Sequence, residues 1–489
     1  MSEPHVIIIG GGLAGLAAGC YARRSGYDTT IVEHNLALGG LCTAWSLGPY
    51  QIDGCIHWLT GGPFTALYDE LEITSRVPLR RLDAWQTYAH RGDGTTIPVT
   101  RDLDALVAEL TRLAPEDAAE LARVRAGATD LIALTPTLDT PELVPWRERL
   151  RPLWDMRGAL GPLLHFRRPI GEWAHHNLRS PALRRFFAAL VPDTAPAFFL
   201  LLVLGYLERG YLSRPVGGSA AFRDALTHTY QALGGHVQLH ATVDEVLVRD
   251  GRAAGVRLAD GTMMTADAVI STASAPESVL RLLGGRYGAE PTRERLERWK
   301  LFDPIVMASF GVDRPYAGHP ALRTLDGVAP RTIGGRSVER ATVRVLNDDP
   351  AFAPPGHTVV QAIIPADYTW WATRGTRYHD EKAAVTAAVL ELLAPDLPGL
   401  RDAVRAVDVV TPLTFWGRAR AWRGAYEGWM PDAEHANVRV EKKLPGLEYF
   451  YMAGQWVEPG GGVPMALMSG RQAVQLLCAD EGRLFRTSA

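Results

Sequence analysis

The sequence predicts an α/β protein in which a discontinuous Rossmann-type nucleotide-binding domain is joined by a second α+β domain and a helical insert. Three observations carry that prediction. The β-branched run Val6–Ile9 ends in three consecutive glycines and leads into a helical pattern over Leu13–Arg24, so it reads as a buried parallel strand entering a tight turn. A second strand, Thr29–Val32, ends in Glu33. Far along the chain, Leu447–Gly454 reads as a strand, Gln455–Gly462 as a glycine-rich loop and Val463–Ala479 as a helix opened by Pro464.

Gly10, Gly12 and Gly15 fall on a G-x-G-x-x-G spacing. The first makes the turn, the second lets backbone N–H groups approach a pyrophosphate, and the third lets helix and strand pack closely. The phosphates belong at the helix N-terminus, around Leu13 and Ala14, where unpaired N–H groups and the helix dipole favour an anion. Glu33, with His34 beside it, lies about 20 residues past the first glycine, where a carboxylate that hydrogen-bonds a ribose hydroxyl is expected. The paired glycines Gly39 and Gly40, followed by Leu41, permit a close backbone pass over the same ligand.

The rest of the chain sorts around this unit. Residues 76–210 read as a mostly helical insert. It holds short strands around the turn Arg91–Gly94 within 84–100, helices over Asp102–Leu113 and Pro115–Leu134, and Trp-, Pro-, Arg- and Leu-rich helical patches over 140–192. Pro215–Ala273 supplies a helix, two hairpins and a returning apolar strand, which look like a return to the first sheet. Residues 291–439 mix the strands Ile305–Val312 and Thr358–Ile364 with a helix over Asp380–Leu393. The division is therefore 1–75, 211–290 and 440–489 for the nucleotide-binding domain, 76–210 for the insert and 291–439 for a sheet-bearing substrate domain.

With 489 residues, 47% hydrophobic and 21% charged, the composition is that of a globular protein with two or three cores. A net charge of -3 and the lack of a long Lys/Arg block argue against nucleic acid as a partner. Cys20, Cys42, Cys55 and Cys478 have no metal-type or paired spacing, which suits a reducing compartment, with the cytoplasm as the expected location. No basic leader precedes the first strand. The most apolar stretch, Ala195–Leu207, is shorter than the roughly 20 residues that span a bilayer, so it reads as a buried helix, with a peripheral membrane contact left open. Adjacent His175 and His176 would not share a helical face, and no metal site is expected.

With these pieces placed, the chain resembles the flavoprotein superfamily of phytoene desaturases, carotenoid isomerases and retinol saturases, more distantly related to amine oxidases. The resemblance rests on Gly10–Glu33, Gly39–Leu59, Pro215–Ala273, the Thr-Pro…Gly-x-Tyr-x-Gly-Trp stretch Thr411–Trp429, and Gly454–Arg471. It implies FAD as cofactor. Gly10, Gly12 and Gly15 would hold the pyrophosphate, Glu33 the adenosine ribose, and the backbone of Val243 the adenine. Gly40 would contact the cofactor, and Gly454, Gln455, Gly462, Val463 and the Pro464–Ala466 turn would cover the flavin end. His57 and Trp58 would lie near the isoalloxazine. Leu41 stands where amine oxidases and many desaturases carry Arg or Lys, which removes a phosphate-facing cation.

The implied activity is FAD-dependent desaturation, saturation or double-bond isomerisation of a carbon–carbon bond in an apolar isoprenoid, polyene or lipid-like substrate. His57 is the candidate proton-transfer group, since a neutral imidazole near pH 7 suits that task. The stretch 160–207 and Trp370, Trp371, Trp416, Trp422 and Trp429 either line an apolar tunnel or pack a core. Two alternatives remain: a flavin amine or amino-acid oxidase with an aromatic cage, and a flavin-free prenyl-binding escort like the Rab GDP-dissociation inhibitors. No oligomeric state follows from the sequence.

Overall fold

Strand β1 (His5–Ile9) is the middle of a five-stranded parallel sheet, and Val6, Ile7 and Ile8 are fully buried because helices and strands cover both its faces. In this computed structural model, which describes residues 3–134, 136–145, 157–432, 434–435, 438 and 440–488, Ile8 pairs with Ile31 of β2 (Asp28–Val32) and with Ile270 of the strand Ala268–Ser271. His236–Gln238 adds to β2, and Phe450–Met452 adds to Ala268–Ser271. Segments from the start, middle and far end of the chain therefore complete one sheet.

Helix α1 (Leu13–Arg24) is buried along almost its whole length. It packs against the C-terminal helix Gly462–Asp480 so closely that a Cβ on Gly470 would stand 2.4 Å from the Ala14 carbonyl oxygen. Arg23 and Arg24 in its last turn suit the negative end of the helix dipole.

A second, seven-stranded sheet runs in the order Val404–Val410, Ile305–Val312, Thr358–Pro365, Ala341–Leu346, Leu322–Asp326, Ala84–His90, Thr96–Thr100. Its last two strands come from within 76–210. Ala84–His90 lies parallel to Leu322–Asp326 and pairs antiparallel with Thr96–Thr100. Trp85–Ala89 are all buried, which requires a sheet neighbour and a covering layer, and Tyr88 meets Phe186 of that layer edge-on at 5.4 Å. The helical layer itself begins at Leu103, whose helix is capped by the Asp102 carboxylate accepting from Ala105 N.

The apolar stretch forms the helix Ala197–Glu208, in which Leu200, Leu201 and Leu207 are fully buried. Among the described residues no helix is long and apolar enough to cross a membrane.

Candidate active site

Where β1 ends, Gly10 turns with φ +96°, and its N–H donates to the Val32 carbonyl at 2.9 Å. A Cβ on Gly15 would lie 2.1 Å from the Gly10 carbonyl oxygen, so the first turn of α1 is seated directly on the glycine turn. No side chain caps α1, which leaves its first N–H groups facing a ligand. The Gly39–Gly40 loop runs backbone to backbone along this turn, with Gly39 N donating to Gly11 O at 2.8 Å. This cradle fits the pyrophosphate of a dinucleotide.

Glu33, 3% exposed, closes the cradle at the end of β2. Its Oε2 accepts from Gly11 N at 2.7 Å, and its Oε1 accepts from Asn35 N at 2.9 Å and Asn35 Nδ2 at 2.7 Å. His34 Nδ1 stands 3.1 Å from the same oxygen. Burial alone would lift this carboxyl, but the donors from His34, Asn35 and Gly11 outweigh it and hold Glu33 below the usual carboxylate range. Its stabilising contribution is therefore present above the unfolded value of 4.5 and is lost as pH falls through the lower folded value. Acid unfolding followed by tryptophan fluorescence should show wild type losing its stability advantage over Glu33→Gln below about pH 4.5. Equal acid sensitivity of the two proteins would remove Glu33 as the cause.

The loop carrying His57 is fixed by buried polar groups from two other regions. Asp53, 1% exposed, accepts from Ser219 N and Ser219 Oγ, each at 2.8 Å. Ile56 N donates to Ser219 Oγ at 2.8 Å. From the second sheet, Arg344 donates to the carbonyls of Asp53 at 3.0 Å and Ile56 at 3.2 Å and to Gln361 Oε1 at 2.9 Å. His57 follows this anchored pair of carbonyls, with burial first and the Arg344 charge second pushing its imidazole well below the ordinary histidine range. Trp58 meets Trp85 edge-on at 5.9 Å.

These parts face one cavity of about 1270 Å³, larger than the roughly 300–1,000 Å³ of a single small-molecule site. Gly10, Gly12, Leu13, Ala14, Glu33, His34, Gly39, Gly40, Leu41, His57, Trp58 and Val243 line it, as do Gly454, Gln455, Gly462, Val463, Pro464 and Ala466. Gly15 does not, because its missing side chain is filled by the Gly10 carbonyl. Away from the glycine turn the walls are Phe199, Leu202, Val203 and Tyr206 of the helical layer and Ile305, Met307 and Ile363 of the second sheet.

None of Trp370, Trp371, Trp416, Trp422 and Trp429 lines this cavity. Trp371 and Trp429 are fully buried in the core, while the half-buried Trp370 packs edge-on against Trp371 at 5.1 Å and the half-buried Trp416 and Trp422 meet each other at 6.0 Å. Arg418, Arg420, Thr272 and Glu427 do line it; they lie inside the stretches that carry the family resemblance, but at positions no motif letter singles out. Arg418 is brought there by its carbonyl, which accepts from Asn35 Nδ2 at 2.7 Å. Thr272 Oγ1 donates to Ile9 O at 2.9 Å under the glycine turn.

The family profile described as flavin-containing amine oxidoreductase matches residues 13–478. An all-trans-zeta-carotene desaturase of Myxococcus xanthus is 27% identical over 99% of this chain and 94% of its own. A 4,4'-diapolycopene oxygenase of a Methylomonas species is 26% identical over 97% of this chain and 98% of its own. Among solved structures, cyclohexylamine oxidase from Brevibacterium oxydans superposes with a TM-score of 0.61 at 15% identity, covering 98% of this chain and 100% of that one, a likeness of fold.

Proposed function

We propose, for a chain that belongs to the family of flavin-containing amine oxidoreductases, an FAD-dependent enzyme that desaturates carbon–carbon bonds of an apolar isoprenoid or polyene. The observation that carries this reading is the continuity of the cavity, from a dinucleotide cradle at one end to an apolar chamber between helical layer and second sheet at the other. The relatives named for zeta-carotene and 4,4'-diapolycopene support the polyene. The family match favours an enzyme over a flavin-free escort.

Bound FAD supplies the two-electron chemistry. The chain's own residues hold and shield it. Gly10, Gly12 and the first turn of α1 take the pyrophosphate, Glu33 the ribose, and the Val243 edge the adenine. Arg418 and Arg420, which line the same cavity as Leu41, would supply the positive charge that Leu41 does not. Gly454, Gln455 and the Gly462–Ala466 turn would cover the flavin, and His57 and Trp58 would wall the cavity beside the reacting carbons. His57, kept neutral by burial and Arg344, packs and orients there. Leu160 and Leu164, 46% and 65% exposed on the helix Arg157–His165, offer an apolar face for contact with a membrane that holds the substrate.

The test is anaerobic mixing of the flavin-loaded protein with phytoene or zeta-carotene in phosphatidylcholine vesicles. The expected result is bleaching of the flavin visible band together with a red-shifted polyene product, in protein that floats with the vesicles. Bleaching by an amine panel with hydrogen peroxide on aeration, and none by the polyenes, would replace this reading with amine oxidation.

A further inference from the structure

Glu427 stands out among the carboxylates of the cavity. It sits in Gly424-Ala-Tyr-Glu-Gly-Trp429, a segment bound to the loop that covers the flavin end: Gln455 Nε2 donates to Tyr426 O at 2.6 Å, and Trp429 Nε1 donates to Trp456 O at 3.2 Å. The fit is close enough that a Cβ on Gly461, φ +61°, would stand 2.6 Å from Glu427 Cβ. Glu427 lines the cavity, yet among the described residues its carboxylate meets no hydrogen-bond donor and no cation. Of the four other carboxylates that line the cavity, Asp193 is exposed to solvent and the other three are provided for. Glu33 has the donors given above, Glu277 pairs with Arg281 at 2.7 Å, and Asp303 pairs with Arg336 at 3.0 Å. Tyr426 is its chain neighbour, and Lys300 and Asp303 line the same cavity.

A carboxylate half-buried in a cavity wall, with no partner of its own, is costly to ionise once a bound ligand excludes water, unless it has a use in both protonation states. We propose that Glu427 is the proton acceptor of the reaction, an inference that rests on the carbon–carbon reading above. Desaturation takes two hydrogens from adjacent carbons. One leaves with its electron pair and reduces the flavin; the other leaves as a proton, and the electron pair of its broken C–H bond closes the new π bond. The Glu427 carboxylate takes that proton, becomes the neutral acid and returns the proton to solvent before the next turnover. Burial pushes Glu427 up to about 7, the range in which a general base at neutral pH works best. The imidazole of His57, well below its ordinary range, is the weaker acceptor.

Glu427→Gln keeps the shape and removes the titration. In pH-difference infrared spectra of the flavin-loaded protein, wild type should show a carboxyl that ionises near pH 7 and Glu427→Gln should lack it. With a polyene that wild type converts, kcat/KM should rise with pH through the same value. Glu427→Gln should lose this limb and roughly 10²–10⁴-fold in rate at unchanged flavin content, and Glu427→Asp should recover part of it. A Glu427 that ionises at the ordinary carboxylate pH, or a Gln variant that keeps the wild-type rate and profile, overturns the proposal. If instead wild type oxidises amines, and Glu427→Gln raises KM while leaving kcat, the carboxylate pairs a substrate ammonium and the proton role falls together with the carbon–carbon reading. If wild type converts neither class, the carbon–carbon reading fails and the proton role falls with it.

Discussion

A Gly15→Ala protein is expected to purify colourless. The added methyl would start 2.1 Å from the Gly10 carbonyl oxygen, a backbone atom on a turn held by Gly10 N to Val32 O, so neither side can give without moving the helix off the strand. Overpacking of this kind costs about 1–3 kcal/mol. Here the strain falls on the cradle, where an extra ångström separates N–H donors from phosphate. Flavin affinity should drop by roughly tenfold or more, a loss of about 1.4 kcal/mol for each factor of ten. The measurement is the ratio of flavin to protein absorbance after gel filtration, with far-ultraviolet circular dichroism showing the fold retained. Gly158→Ala is the control: a Cβ there meets nothing within 4 Å, and a helix gains roughly 0.5–1 kcal/mol when Ala replaces Gly. A yellow Gly15→Ala protein with wild-type stoichiometry would refute the seating of α1 on the turn.

Arg344→Met is expected to cause the largest loss of stability of any single change near the site. The guanidinium, 2% exposed, holds two carbonyls of the His57 loop and a glutamine, and lies 3.7 Å from the Asp53 carboxylate. Removing it leaves Asp53 buried without its cation. Breaking a buried pair from one side costs about 3–5 kcal/mol, to be read as a fall in the denaturant midpoint of tryptophan fluorescence. Arg344→Lys should recover little, because a single ammonium cannot span the carbonyls that the planar fork reaches. A second readout separates this role from bulk packing. Part of what depresses His57 is the Arg344 charge, so the imidazole should titrate closer to its ordinary value in Arg344→Met, followed by NMR of the ring nitrogens. An unshifted His57 in a destabilised protein would mean that burial alone sets it.

The nucleotide cradle was legible in the sequence because everything it needs is local. A strand, three glycines, a helix and a carboxylate occur within residues 5–33, and the helix Leu13–Arg24 has the predicted bounds. Arg344 was not legible, and Glu427 stood in the Gly-x-Tyr-x-Gly-Trp stretch only as an unspecified position. Arg344 acts on a loop 291 residues away, and a lone arginine in a strand carries no mark of the carbonyls it will meet. The same distance problem hid Arg418, whose carbonyl contact with Asn35 spans 383 residues. The tryptophans show a different limit, since aromatic density announces burial without saying whether the ring faces a void or a neighbour. Residues 84–100 alternated as strands should, but alternation does not name the sheet, and their partner Leu322–Asp326 lies far along the chain.

That the flavin-binding sheet draws its strands from both extremities of the polypeptide has a consequence for biosynthesis. At roughly 5–20 residues per second, the ribosome delivers Phe450–Met452 on the order of 20–90 s after β1 has emerged. Throughout that interval an oily, β-branched strand–helix–strand unit waits for its neighbours, a hazard for self-association that holdase chaperones exist to limit. Flavin can be captured only after translation is nearly complete, so a nascent chain stalled before the last helix should be both apoprotein and aggregation-prone.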